Sequence, residues 1–426
     1  MLIDFSITNF RSIKDKQVFS MQKVGKITEL PSNVIHTDKF ELLRSAVIYG
    51  RNASGKSNLL LAMDILRSIV IWNSNVIKHV YTPFKLDNET NNKAVEFEIN
   101  FIASDNIKYN YSISYTSEEI INEKLSFYPS KKQIPSKLFL RKKGKAISYG
   151  DRFKDNIIDI EKQLYTYQSL LSRLSFFKIE SLIIPYAFFK KQLVTQLSYD
   201  KVNLLEHFIS NCNNKSLPNH LENISKLLRI ADTGINSIAI KNIFKGDSDI
   251  SSIIMKEDSP IGKISENFKI VTYHDVYENG IKKGSVEFEL KDESAGTIKL
   301  LEYGSAILDC INDGDVLMID EMDKSLHPLL TRELIKIFNN PESNPNNAQL
   351  IFVTHDVSLL KNDLFRRDQI WFTEKNIEGS SEFYSIADIK GIRQNVPLDK
   401  YYLQGIFGAT PVLNEYDFIF NSSSNE

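Results

Sequence analysis

The sequence predicts an α/β fold in three parts: a parallel-sheet lobe around a phosphate-cradling loop, an antiparallel β lobe and a helical insertion. Three observations carry this. "RSAVIYGRNASGKSNLLLAMDIL" sets a Gly-rich loop between a strand-like run and a helix-patterned run. The apolar runs "DVLMIDE" and "IFVTHD", much later in the chain, end in polar residues, as buried parallel strands do. Between loop and runs lie first alternating strand patterns, then helical spacing.

In chain order, "LIDFSITNF" and "KQVFSM" alternate apolar and polar residues as half-buried strands. "RSAVI" enters the loop, and "KSNLLLAMDILRSIVIW" is the helix behind it. "AVEFEINFI", "IKYNYSISYT" and "EEIINEKLSFY" predict an antiparallel sheet, and "KLFLRKKGKAISYG" a hairpin turning near Gly144. From residue 154 the pattern becomes helical, in "IIDIEKQLYTYQSLLSRLSFF", "KVNLLEHFISNCN" and "NHLENISKLLRIADTG". Strands return with "INSIAIKNIF", "FKIVTYHDV" and "GSVEFELKD", and helix and strand then alternate to "QIWFTEK". The expected division is 1–153, the first part of the core with the β lobe; 154–234, the helical insertion; and 235–426, the rest of the core.

The chain has 426 residues, 42% hydrophobic and 25% charged, which is ordinary for a globular protein of more than one domain. A net charge of -2 gives no global nucleic-acid signature. Two distant cysteines, Cys212 and Cys310, argue against a disulfide framework or zinc site and fit a reducing cytoplasm. The start lacks a signal-peptide pattern, and no apolar run approaches the roughly 20 residues of a membrane helix, so no membrane partner is expected.

Gly50 to Ser57 fits G-x-x-x-x-G-K-[ST]. Main-chain N–H groups of Gly50, Arg51, Asn52, Ala53, Ser54 and Gly55 would face the phosphates of ATP, with Asn58 close behind. Lys56 should reach the β- and γ-phosphates, and Ser57 should ligate Mg²⁺. Asp320 is placed to hold the same metal, and Glu321 to polarise the attacking water. His355 would stand beside the γ-phosphate if its strand neighbours the others. Ser294-Ala295-Gly296-Thr297 opens a long amphipathic helix; alone, Ser294 reads as a plain N-cap.

The order of these motifs, with "DKSLHP" between the acidic and histidine strands, resembles the ABC-type ATPase head. It is more similar still to the SMC/RecF-like branch, whose members begin with a strand and "NFRS"; here that is Asn9-Phe10-Arg11-Ser12. The resemblance implies that Ser294 and Gly296 bind the γ-phosphate of ATP held on another subunit, and that Asp323 is the D-loop acid at the dimer interface. It implies too that His355 is the switch histidine and Arg11 a phosphate-facing arginine. "SAGT" departs from the transporter-type "LSGGQ", and no Q-loop glutamine can be placed; Gln168 is no better than a surface residue.

"FRRDQIWFTEKN", "EFYSIADIKGIRQN" and "KYYLQGIFGATP" resemble a narrower group, the bacterial ATPases of abortive-infection and related phage-defence systems (AbiL-like, with Septu and retron ATPases as relatives). That resemblance implies an ATP-dependent homodimer or higher oligomer that senses and regulates a separate effector such as a nuclease. The alternative is a RecF-like clamp that binds DNA itself. An inert scaffold and a transporter engine fit less well. Arg366 and Arg367 read equally as surface charge at a strand start or as cations that pair with acids or bind a partner or nucleic acid. Lys131, Lys132, Lys137, Arg141, Lys142, Lys143 and Lys145 read as a solvated hairpin tip, with phosphate tracking the alternative. His274 has no metal partner at ligand spacing and reads as structural.

Overall fold

The computed structural model describes residues 1–72, 74–129, 134–151, 161, 163–177, 179–196, 217–231, 233–242, 268–324 and 326–411. The helix expected at "KVNLLEHFISNCN", together with Cys212, Lys131 and Lys132, lies outside the described residues.

The chain opens with β1 (Leu2–Thr8) and β2 (Gln17–Ser20), then the short pair β3 (Val34–His36) and β4 (Glu41–Leu43). β5 (Ser45–Tyr49) leads through the Gly-rich loop into α1 (Lys56–Ile71) and the single turn α2 (Ile77–Val80). Next come β6 (Val95–Ile102), β7 (Lys108–Tyr115), β8 (Ile120–Tyr128), β9 (Ser136–Lys142) and β10 (Ser148–Tyr149). α3 (Leu170–Ser175), α4 (Glu180–Ala187), β11 (Leu193–Gln196) and α5 (Leu217–Ile230) precede β12 (Ile235–Asn242), β13 (Phe268–Glu278) and β14 (Ile281–Glu289). The remainder is α6 (Ala295–Asp313), β15 (Val316–Ile319), α7 (Pro328–Asn339), β16 (Gln349–Val353), β17 (Ile370–Lys375), β18 (Ser381–Ser385) and α8 (Leu398–Leu403).

The core sheet has the order β11-β15-β16-β5-β17-β18, parallel except for β18. Every residue of β5, β15 and β16 is buried, because helices cover both faces. Ile48, Met318, Ile351 and Val353 pack with Leu59, Met63 and Leu66 of α1. Val47, Leu317, Ile319 and Phe352 point the other way, onto Leu301 of α6 and Leu334 and Phe338 of α7. This period of two fixes the register: a one-residue slip would exchange the two layers.

The β lobe is an antiparallel sheet of order β10-β9-β8-β7-β6-β1-β2. Val95, Phe97, Ile99 and Phe101 of β6 turn inward, and their cluster includes the α1 side chains named above. So α1 lies between the two sheets. This matches the expected α/β class with an antiparallel lobe, and a third sheet of order β12-β13-β14 accompanies α5 and α6.

The span 154–234, expected as a helical insertion, carries α3, α4 and α5 but also β11, which pairs in parallel with β15. Arg366 is fully buried, bonded through Nε and Nη2 to Asp368 at 2.9 and 3.0 Å and to the carbonyls of Ile27 and Glu29. Arg367 donates to Glu29 Oε1 and the Ile392 carbonyl. Both pair with acids, one of the readings the sequence left open, and tie the N-terminal third to the start of β17; buried Arg366 is not surface charge. Two of the hairpin cations are also engaged: Arg141 donates to the carbonyls of Tyr165, Thr166 and Gln168, and Lys143 pairs with Glu119. Gln168 is buried, not a surface residue.

Candidate nucleotide-binding site

Gly50 and Gly55 sit at φ 155° and 109°, and Ala53 between them at 59°, so the loop curls through left-handed backbone. There is no room for side chains at the glycines. A Cβ on Gly50 would stand 2.5 Å from the Thr373 carbonyl, and one on Gly55 would collide with Ser381 Oγ and stand 2.9 Å from Ser12 Oγ. The Lys56 amine donates to the Gly50 and Arg51 carbonyls at 2.8 and 3.0 Å, spanning the concavity. Burial lowers this amine to about 8, with Asp320 and Glu321 pulling back toward the charged form.

β15, β16 and β5 are adjacent and parallel, with Ile319 opposite Phe352 and Phe352 opposite Val47. Their C-terminal ends therefore deliver Asp320, His355 and the Gly-rich loop to one edge of the sheet. Ser57 Oγ donates to Asp320 Oδ1 at 3.0 Å. Burial raises the Asp320 carboxyl above its usual range. His355 is lowered, by burial first and then by the Lys56 charge, against the opposing pull of Asp323, Glu321 and Asp320. Glu321 holds left-handed backbone at φ 52°, a strained state for a residue with a Cβ. Among the described residues, Asp323 Oδ1 is buried without a hydrogen-bond partner.

The N-terminal motif is fastened to the loop. Asn58 Nδ2 donates to Ser12 Oγ at 2.7 Å, and Arg11 Nη1 donates to Asn58 Oδ1 at 3.3 Å. Ser381 Oγ donates to the Ser54 carbonyl and lies 2.7 Å from Ser12 Oγ, whose own O–H is left to donate to it. Beside them is a recess of about 400 Å³ lined by Arg11, Ser12, Phe84, Lys85, Leu86 and Lys375, among others. Sequence reasoning missed it: residues 82–86 follow α2 as irregular chain and carry no motif.

Ser294 is apart from this cluster. It is exposed and caps α6, accepting from Thr297 N at 3.1 Å. Tyr303, within α6, feels the charges of Asp320 and Glu321 after burial and Glu302 have raised its hydroxyl. The helix N-terminus is nine residues earlier, about 13 Å along the axis. The structure thus brings Arg11, Lys56, Ser57, Asn58, Asp320, Glu321 and His355 to one edge, with Ser294 and Gly296 at the free end of α6.

Ser57 and Asp320 offer hydroxyl and carboxylate oxygens at hydrogen-bond separation, a donor pair suited to Mg²⁺ that completes its shell with phosphate oxygens and water. Among the described residues no group of three or more His, Cys, Asp and Glu could hold an ion unaided. None of the described helices is long and apolar enough to cross a membrane.

The sequence profile of one family, described as "AAA domain, putative AbiEii toxin, Type IV TA system", matches residues 45–361. No curated protein matches the chain. Among solved structures, the SMC head domain from Thermotoga maritima is 12% identical, with 90% of this chain and 98% of that one covered and a TM-score of 0.38. The recombination mediator protein RecF with ATP, of the RecFOR pathway, is 14% identical, with 90% and 97% covered and a TM-score of 0.38.

Proposed function

The chain belongs to this AAA-domain family, and from that premise we propose that it hydrolyses ATP between two copies of itself as a switch. The observation that carries the proposal is the convergence of the Gly-rich loop, Asp320, Glu321 and His355 at the ends of three adjacent parallel strands. The loop N–H groups and the start of α1 bind the phosphates. Lys56 leaves the Gly50 and Arg51 carbonyls for the β- and γ-phosphates. Ser57 and Asp320 would hold Mg²⁺, which neutralises charge on the phosphates when bound. Glu321 orients and deprotonates the attacking water, and His355 contacts the γ-phosphate. Arg11 faces the phosphates, and the recess beside it takes the ribose and base.

Ser294 and Gly296 complete the site of the second copy, and Asp323, with its unpartnered oxygen, lies at the same interface. What supports this is the exposure of Ser294 at the end of a helix that extends beyond its own acidic cluster. In this reading the dimer licenses or restrains a separate effector, such as a nuclease, in bacterial anti-phage defence. The family's toxin description and the C-terminal motifs support that role. The engagement of Arg141 and Lys143 within the chain leaves fewer cations for a clamp that grips DNA directly, and so favours this reading.

The test is the mass of the purified protein with and without ATP, for wild type and Glu321→Gln. An ATP-dependent increase, locked by Glu321→Gln, is expected. Normal ATP affinity with a mass that never changes would sink the composite site.

A further inference from the structure

We propose that Thr272 and His274 of β13 are positioning residues for the Ser294 end of α6, acting by gripping Glu293. This rests on the reading of Ser294 as the group that completes a partner's ATP site.

Glu293 is the residue before Ser294. Its side chain is only 6% exposed, although Asp292 and Ser294 on either side are exposed. One oxygen, Oε1, accepts from Thr272 Oγ1 and lies 2.8 Å from His274 Nε2. The imidazole is itself held, its ring 4.6 Å from that of Phe288 on β14, with Gly234 against its Nδ1 side. The link from β14 to α6 is otherwise a single 3-10 turn, Leu290–Asp292, capped by Glu289 and Asp292, so this grip is what fastens its last residue to β13.

The rest of α6 is anchored to the same unit. His220 of α5 stands 3.1 Å from Asp309 and 3.2 Å from Ser305, and Leu227 fills the space where Gly304 lacks a side chain. α5 in turn accepts an N–H from Ile238 of β12 through Ser225 Oγ. The three-stranded sheet thus holds α6 along its length through α5 and at its end through Glu293.

The charge also matters. A carboxylate beside the Ser294 turn would repel the γ-phosphate of an arriving copy. Thr272 and His274 draw it onto β13 and hydrogen-bond it there. Catalytic contacts of this kind tolerate little displacement, since about 1 Å can change a rate by two orders of magnitude.

The experiment measures kcat, KM, ATP-analogue affinity, thermal melting and ATP-dependent mass. The chains compared are wild type, His274→Ala, His274→Gln and Glu293→Ala, with mass also read in the Glu321→Gln background. The alanine variants should lower kcat about tenfold or more and weaken the ATP-dependent dimer, while analogue affinity stays within about twofold. His274→Gln, which restores an N–H donor, should recover part of kcat. If wild type gains mass with ATP and His274→Ala matches it in kcat, the grip is refuted and the dimer reading survives. Parallel loss of kcat, affinity and melting temperature would also refute it, as a general folding role. If wild type neither gains mass nor hydrolyses ATP, the underlying reading falls and the grip falls with it.

Discussion

The Tyr49 hydroxyl donates to the main-chain carbonyl of Asp356 over 2.9 Å. It joins the last residue of β5, next to Gly50, to the turn just after His355. The ring is buried against Tyr402 and Phe372, at centroid distances of 5.7 and 6.3 Å. Tyr49→Phe keeps that packing and leaves the Asp356 carbonyl without this donor. We predict a stability loss of about 1–2 kcal/mol by urea unfolding. ATP hydrolysis should slow more than ATP binding weakens, because the altered turn carries His355 and not the phosphate loop. Equal losses in both would contradict this.

Gly55→Ala introduces a methyl group where Ser381 and Ser12 already stand, at a backbone angle of φ 109°. The loop must distort, so ATP-analogue binding should drop at least about tenfold. The distant β lobe should keep its structure, and far-ultraviolet circular dichroism should be unchanged. Retained affinity would show that the loop yields more easily than its packing indicates.

Arg366→Ala removes one half of a buried ion pair and leaves Asp368 and two carbonyls short of donors. The expected loss is about 3–5 kcal/mol in denaturant unfolding. Direct nucleic-acid binding, if any is measured, should be unaffected in the fraction that remains folded.

Asp315 precedes β15 and is buried. Burial, then the charges of Asp313 and Asp309, pushes its carboxyl up from 3.8 to about 7. Between those values the folded chain holds a proton that the unfolded chain has released. This group's contribution to stability therefore falls as pH rises through that window. Asp315→Asn should melt a few degrees above wild type near pH 8, and the two should converge near pH 4. A pH-independent gap would refute the assignment.

The phosphate loop, the buried strands and the acids at their ends were readable because each is a local pattern: a Gly-Lys-Ser spacing, or an apolar run closed by polar residues. The register that places His355 beside the loop is also local in origin, since alternate strand residues choose their layer. What escaped depends on distant chain. For Arg366, pairing with acids and surface charge stay equal readings until Asp368 and, from the opposite end of the sequence, the Ile27 and Glu29 carbonyls supply its acceptors. β11 is four residues within helical patterning, and it becomes a strand because Val316–Ile319 pairs with it. Arg141 looked like part of a basic tip, yet the carbonyls it binds follow a segment whose course the sequence does not indicate. His274 lacked a partner at any recognisable spacing because Glu293 reaches it across a hairpin.

β5 lies between β16 and β17, with Ala46 opposite Ile351 and Val47 opposite Ile370. A nascent chain makes the phosphate loop early but must wait for most of its remaining length before either neighbour of that strand leaves the ribosome. Until then the apolar strand has no parallel partner on either side, which exposes it to wrong pairings. Ser381, which braces the loop, is made later still. A chain that ended before residue 349 would carry the whole Gly-rich loop and lack both strands that flank β5.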